Sequence, residues 1–153
     1  MPEPAALSIS VNLEAGIEAW LATHVGAGLL LAGVTLLKGW DADGALTAKN
    51  ISIVALTGEA QMAGLGPSGN ETIPVEITVR THVKDDTGAT HRALEAALDT
   101  LLKDRNLAAI IQYYATNLIV MTAYLRGHRR QTVGNWRSYT RVLECFVAGV
   151  QPA

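Results

Sequence analysis

The clearest pattern of apolar and polar positions lies between residues 70 and 102. Over residues 73–83, β-branched apolar side chains alternate with polar ones, which predicts a half-buried strand. Over residues 93–102, leucine and alanine recur every three or four positions, which predicts an amphipathic helix. Charged and small residues at 84–88 predict a turn whose side chains cap that helix. We expect this strand–turn–helix unit to be the scaffold of the domain.

The residues before this unit predict one helix and two strands. Residues 1–11 predict a tail, and Asn12 is a candidate cap for an amphipathic helix that follows it. Residues 29–40 and 50–56 predict strands, and the first of these is apolar on both parities, as in a strand covered on both faces. The glycine-rich stretch 58–70 predicts a mobile loop.

The residues after the unit predict a short helix and a long β-hairpin. Asn106 is a candidate cap for the short helix. Two β-like stretches, 118–130 and 136–147, are joined by a polar segment that contains glycine and asparagine. The base of this hairpin is apolar and its far end is rich in arginine. We expect the base to be buried and an arginine-rich arm, residues 126–141, to project from the domain.

These elements predict an α+β fold. We expect a single domain over residues 1–153, with a largely antiparallel sheet of about five strands, two or three helices packed on one face, and a long C-terminal β-hairpin. Several strands are apolar on both faces, and so few helices can cover only one face of the sheet. Each further buried leucine or isoleucine contributes roughly 1.5–3 kcal/mol. We therefore expect other copies of the chain to cover the second face.

Composition gives few signs of a specific chemistry. The chain is 49% hydrophobic and 17% charged, with a formal net charge of −2. Residues 126–153 nevertheless carry 5 of the 12 basic and 1 of the 14 acidic residues, a balance of +4, whereas residues 1–125 balance at −6. The single cysteine, Cys145, excludes an internal disulfide and fits a reducing compartment. Neither a signal peptide nor a membrane span is evident, so we expect a soluble protein made in the cytoplasm.

Candidate catalytic and metal-binding residues all have simpler structural interpretations. His82, Asp85, Asp86 and His91 supply metal-ligand types, but a strand face and a capped turn explain them as solvated residues. Cys145 lies in an apolar stretch without a nucleophile signature. Glu76, Glu95 and Asp99 are candidates for an acid and a base, but the i, i+4 spacing of Glu95 and Asp99 predicts the solvent face of an ordinary helix. We predict no catalytic residue, cofactor or metal, and therefore no enzyme.

One cluster departs from this background, because arginine and aromatic residues alternate along the predicted arm. Three interpretations are open: a solvated hairpin tip, a protein interface with acidic partner surfaces, or direct contact with nucleic acid. The predicted protein-interface residues are Arg126, Arg129, Arg130, Trp136, Arg137 and Arg141.

In its order of elements, the chain resembles the tail terminator or tail-completion proteins of long-tailed bacteriophages. Four segments carry the resemblance: L-E-A-G-I-E-A-W-L (13–21), I-P-V-E-I-T-V-R-T-H-V (73–83), D-D-T-G-A-T-H-R-A-L-E-A-A-L (85–98) and Y-T-R-V-L-E-C-F-V-A-G-V (139–150). The resemblance implies a structural virion protein that forms a hexameric ring at the head–tail junction. Such a ring caps the tail tube, ends its polymerisation and joins it to the head connector.

The same resemblance implies a set of partners. These are further copies of the chain, the tail tube protein and the head–tail connector protein, while genome DNA passes through the lumen without specific binding and no membrane is involved. Related alternatives are a head-completion or connector-joining protein and a minor tail protein. A nucleic-acid-binding module that uses the arginine-rich hairpin is an alternative of a different class.

Overall fold

The computed structural model describes residues 5–39, 49–56, 59–62, 67–84 and 88–149. Three helices and six strands form in these ranges. In chain order they are α1 (Ala5–Ala22), β1 (Thr35–Lys38), β2 (Lys49–Ala55), β3 (Glu59–Met62), β4 (Pro67–His82), α2 (Ala89–Leu102), α3 (Leu107–Tyr114), β5 (Leu118–Val133) and β6 (Trp136–Gly149).

The strands form one mixed sheet in the order β1-β2-β4-β6-β5, and β3 pairs with the same edge of β4 as β2 does. Only β1 and β2 are parallel, so the sheet is largely antiparallel. The predicted α+β class is confirmed, including the C-terminal hairpin. The assignment of residues 1–153 to one domain stays a prediction, and the described residues share one hydrophobic core.

All three described helices pack on one face of the sheet. Register places Val79 of β4 between Ile51 of β2 and Tyr139 of β6, and these three side chains are buried on the same face. Helix α1 crosses β2, and its Glu14 carboxylate accepts a hydrogen bond of 2.9 Å from the backbone N–H of Ala55. None of the described helices packs on the opposite side, which we call the helix-free face.

Helix α1 begins earlier than the sequence predicts. The predicted tail, residues 1–11, is wrong from Ala5 onward, and Asn12 lies inside the helix instead of capping it. The reason is that the apolar stripe extends one turn back: Ile9, Leu13 and Ile17 follow one another at i+4 and are all buried.

Helices α1 and α3 meet at a glycine. A Cβ atom placed on Gly16 of α1 would lie 2.9 Å from the Cβ and 3.0 Å from the Cα of Ala115, the residue that follows α3. The missing side chain is therefore what lets the two segments approach this closely.

Two predictions for the first half of the chain are only partly correct. The predicted strand over residues 29–40 is wrong except for Thr35–Lys38, because Gly28 and Gly33 have φ of 80° and 74° and turn the chain. The predicted loop over 58–70 is wrong for 59–62 and 67–70, which form strands, since backbone pairing there does not depend on the turn-like side chains. Residues 40–48, 57–58 and 63–66 lie outside the described residues.

Candidate functional site

The predicted arginine-rich arm is part of the sheet. Strand β6 pairs with β4 along its length, from Asn70 opposite Ala148 to His82 opposite Trp136. The hairpin turn is also hydrogen-bonded to the residue that follows β4, because the N–H of Val83 donates a 2.8 Å hydrogen bond to the carbonyl of Asn135. The expectation that this arm projects from the domain is therefore wrong: β4 is long enough to pair with the whole inner strand.

Register divides the six predicted interface residues between the two faces. Arg130 and Tyr139 are paired, as are Arg141 and Ile77, so both arginines lie on the face that the helices cover. Arg129 is paired with Thr140 and lies on the helix-free face.

The remaining three residues complete the pattern. Arg137 is paired with Thr81 on the helix side. Trp136 lies on the helix-free face, where its ring stands edge-on to His82 with centroids 4.9 Å apart. Arg126 is the additional residue of a β-bulge in β5.

Arg130 is held by a carboxylate of α2. Its Nε lies 3.1 Å from Oε1 of Glu95 and its Nη2 lies 3.2 Å from Oε2, which makes a bidentate pair. The hydrogen bonds to Glu95 raise the pKa of the Arg130 guanidinium. The guanidinium also lies over the ring of Tyr139, 5.4 Å from its centroid. Arg130 is thus fixed in position although most of its side chain is exposed.

Arg141 has a second helical carboxylate as its partner. Its Nε lies 3.4 Å from Oδ1 of Asp99, and its side chain is 11% exposed. Asp99 also accepts a hydrogen bond from the hydroxyl of Tyr139, at 2.9 Å to Oδ1. Burial, together with this bond, raises the pKa of Tyr139. Arg141 therefore lies beneath α2 and ties the helix to β6.

Arg126 pairs with a carboxylate on the helix-free face. Its Nη1 donates to Oε2 of Glu144, and the hydroxyl of Tyr124 donates to Oε1 of the same carboxylate at 2.7 Å. The Tyr124 hydrogen bond lowers the pKa of Glu144, and the same bond raises the pKa of Tyr124. Three of the predicted interface arginines therefore have acidic partners within the chain.

Two of these acidic partners were assigned to the solvent face of α2 by sequence reasoning, and that assignment is wrong. Glu95 is 9% exposed, and Asp99 also faces the sheet. The spacing of His91, Glu95, Leu98 and Leu102, at i, i+4, i+7 and i+11, places Glu95 within the buried stripe. That spacing could have indicated from the sequence that Glu95 is buried. A carboxylate is tolerated at this position because it pairs with an arginine of the hairpin.

The candidate metal ligands do not come together. His82 lies on the helix-free face, whereas His91 is buried on the helix side, where its Nδ1 is 2.8 Å from the hydroxyl of Thr81. Asp85 and Asp86 lie outside the described residues. In the part of the chain that the structure describes, no group of three or more metal-ligand side chains converges.

Cys145 is a core residue. It is fully buried opposite Ile73 of β4, and burial raises the pKa of its thiol to about 12. A thiol in this environment is protonated at neutral pH and is a poor nucleophile.

Strand β5 forms one edge of the sheet over 16 residues. The side chain of Gln112 occupies the start of its outer edge, donating to the carbonyl of Leu118 and accepting from the N–H of Val120 at 2.8 and 2.7 Å. Beyond Val120 no described strand pairs with the outer edge of β5. An edge of this length offers backbone donors and acceptors to another chain.

Apolar side chains lie along the same strand. Ile119, Met121 and Tyr124 are 49%, 39% and 51% exposed, and the half-buried Phe146 lies beside them on the neighbouring strand. Together with the outer edge of β5, these four residues form what we call the β5 surface. It combines exposed apolar area with unpaired backbone, as assembly interfaces do.

None of the helices in the described ranges combines the length and apolar character needed to span a membrane.

Comparison with known proteins gives a similarity among solved structures. No protein-family model matches the sequence, and neither does any curated protein sequence. Among solved structures, the chain is similar to a chain of the structure described as the virion of a native gene transfer agent particle. The TM-score is 0.56 at 19% sequence identity, and the match covers 94% of this chain and 96% of the other. The two chains therefore share a fold over almost their entire lengths.

Proposed function

We propose that this chain is a structural virion protein that forms a ring at the head–tail junction, caps the tail tube and joins it to the head connector. The observation that carries the proposal is the fold shared, almost end to end, with a chain of a gene transfer agent virion. The resemblance of the sequence to tail terminator proteins points to the same kind of particle and narrows the position within it.

The β5 surface supports an assembly role. A 16-residue edge strand is a template for pairing with another chain, and natural monomers usually shorten, charge or cover such edges. Within the described ranges, Gln112 occupies the first residues of this edge, and no strand pairs with the rest of it. Exposed Ile119 and Tyr124 add apolar area that a neighbouring subunit would bury.

The charge arrangement favours a protein partner over nucleic acid. A phosphate-binding surface needs several arginines directed at the ligand. Arg126, Arg130 and Arg141 are instead bound to carboxylates of the same chain. In the proposed interface Arg129, Trp136 and Arg137 contact neighbouring subunits together with Arg126 and Arg130, while Arg141 supports them from beneath α2.

Tube assembly in vitro tests the proposal. Purified tail tube protein would be polymerised with and without this chain, and tube lengths would be measured by negative-stain electron microscopy. We expect shorter tubes with a ring at one end, in proportion to the chain added. Unchanged tube lengths, with the chain bound to the head connector alone, would support the head-completion alternative instead.

A further inference from the structure

A cleft opens between the first turn of α2 and the tip of the β5–β6 hairpin. Its volume is about 590 Å³. Nine of the residues that the structure describes line it: Gly88, His91, Arg92, Glu95, Arg130, Gln131, Thr132, Arg137 and Ser138. The cleft therefore joins two arginines of the predicted interface, Arg130 and Arg137, to a third that the sequence pattern did not single out.

The described lining of the cleft is cationic. Arg92, Arg130 and Arg137 contribute three guanidinium groups, against the single carboxylate of Glu95. That carboxylate already accepts hydrogen bonds from Nε and Nη2 of Arg130. Among the described lining residues, positive formal charges thus exceed negative ones by two, without counting His91.

One of the arginines is held in place before any ligand arrives. Arg130 is fixed by Glu95 on one side and by the ring of Tyr139 on the other. Arg92 lies on the first turn of α2, beside this fixed group in the lining of the cleft. Binding to groups that are already ordered loses less conformational entropy.

We propose that this cleft binds a carboxylate side chain on an acidic segment of a neighbouring protein subunit. Arginine pairs with carboxylates through two parallel hydrogen bonds, and a concave site of this size admits a short peptide segment. A nucleic acid backbone carries one negative charge per roughly 1.7 Å of duplex, and an extended row of arginines matches that density better than a cleft that also contains the carboxylate of Glu95. The inference rests on the proposed function only for the identity of the neighbouring subunit.

Peptide titration of the full chain tests the site. A fluorescein-labelled oligoglutamate peptide would be titrated at low ionic strength, and binding would be measured by fluorescence anisotropy. We expect the combined variant with Arg92→Gln and Arg137→Gln to bind about tenfold more weakly than the unchanged chain. Lys103→Gln combined with Arg105→Gln removes the same two positive charges from the exposed turn between α2 and α3, so it makes a matched control and should leave the affinity unchanged.

Three outcomes would overturn the proposal. They are equal weakening by the control with Lys103→Gln and Arg105→Gln, unchanged affinity in the variant with Arg92→Gln and Arg137→Gln, and tighter binding of an oligothymidylate of equal charge that depends on Arg92 and Arg137. Circular dichroism of each variant verifies that the fold is retained. Because the titration does not involve a tail tube, a negative result here with tube capping intact would contradict the cleft and leave the proposed function standing.

Discussion

Replacing Gly16 with alanine tests the packing of α1 against the end of α3. The new Cβ would lie 2.9 Å from the Cβ, 3.0 Å from the Cα and 3.2 Å from the backbone nitrogen of Ala115. Carbon atoms in contact are ordinarily about 3.5–4.0 Å apart. Ala115 has no rotamer that could relieve the contact, so the two segments must separate.

The net effect follows from two opposing contributions. Overpacking in a filled site costs about 1–3 kcal/mol. Alanine in a helix interior is more favourable than glycine by about 1 kcal/mol. The opposing atoms belong to the backbone and Cβ of Ala115, so we expect an overpacking cost in the upper part of the range of about 1–3 kcal/mol. After the gain from alanine in the helix is subtracted, Gly16→Ala should lower the free energy of unfolding by about 1–2 kcal/mol.

Urea denaturation followed by far-ultraviolet circular dichroism, at one protein concentration, measures this change. Gly127→Ala is the matched control, because nothing lies within 4 Å of its Cβ position, and it should be neutral or slightly stabilising. Adding Ala115→Gly to Gly16→Ala removes the shortest contact and should restore part of the loss. If Gly16→Ala unfolds at the same or a higher urea concentration than the unchanged chain, the described packing of α1 is incorrect.

Three further predictions concern the core and the β5 surface. Tyr139→Phe removes the hydrogen bond to the α2 carboxylate and should cost about 1–2 kcal/mol, whereas Tyr113→Phe, at an exposed site, should cost less than about 0.5 kcal/mol in the same urea assay. Cys145 should resist iodoacetamide at pH 8 in the folded chain and react after unfolding. Rapid labelling of the folded chain at pH 8 would contradict the burial of Cys145. The pKa of this thiol is about 12 in the folded chain and ordinarily 9.0, so its contribution to the free energy of unfolding is complete below pH 9 and falls as the pH rises toward 12. Ile119→Ser should abolish shortening of tail tubes without changing stability. Val11→Ser changes another exposed apolar residue, on α1, and should leave the shortening intact; equal effects of the two variants would exclude the β5 surface.

The sequence correctly predicted the helices and strands in which burial in the core sets the spacing of the apolar residues. Alternation over β4 and the leucine stripe of α2 indicate their elements directly, because Ile73, Ile77 and Leu98 are buried on the helix side. The start of α1 and the short β3 were missed, since sequence alone does not show which partner a segment will find. Strand β3 exists because β4 is long enough to pair with it.

The candidate site was predicted less completely than the fold. The arginines of the hairpin stood out by composition, but their carboxylate partners did not, because Glu95 and Asp99 reach Arg130 and Arg141 only once α2 packs across the sheet. Local spacing cannot indicate a contact between residues that are 35 or 42 positions apart in the sequence. The cleft combines residues of α2 with the hairpin tip for the same reason.

A cryo-electron microscopy reconstruction of particles that contain this chain tests the central claim most directly. The account predicts a closed ring of identical subunits between the end of the tail tube and the head connector, with the β5 surface buried between neighbouring chains. Absence of the chain from that position, or its presence there as isolated subunits with the β5 surface exposed, would contradict the account.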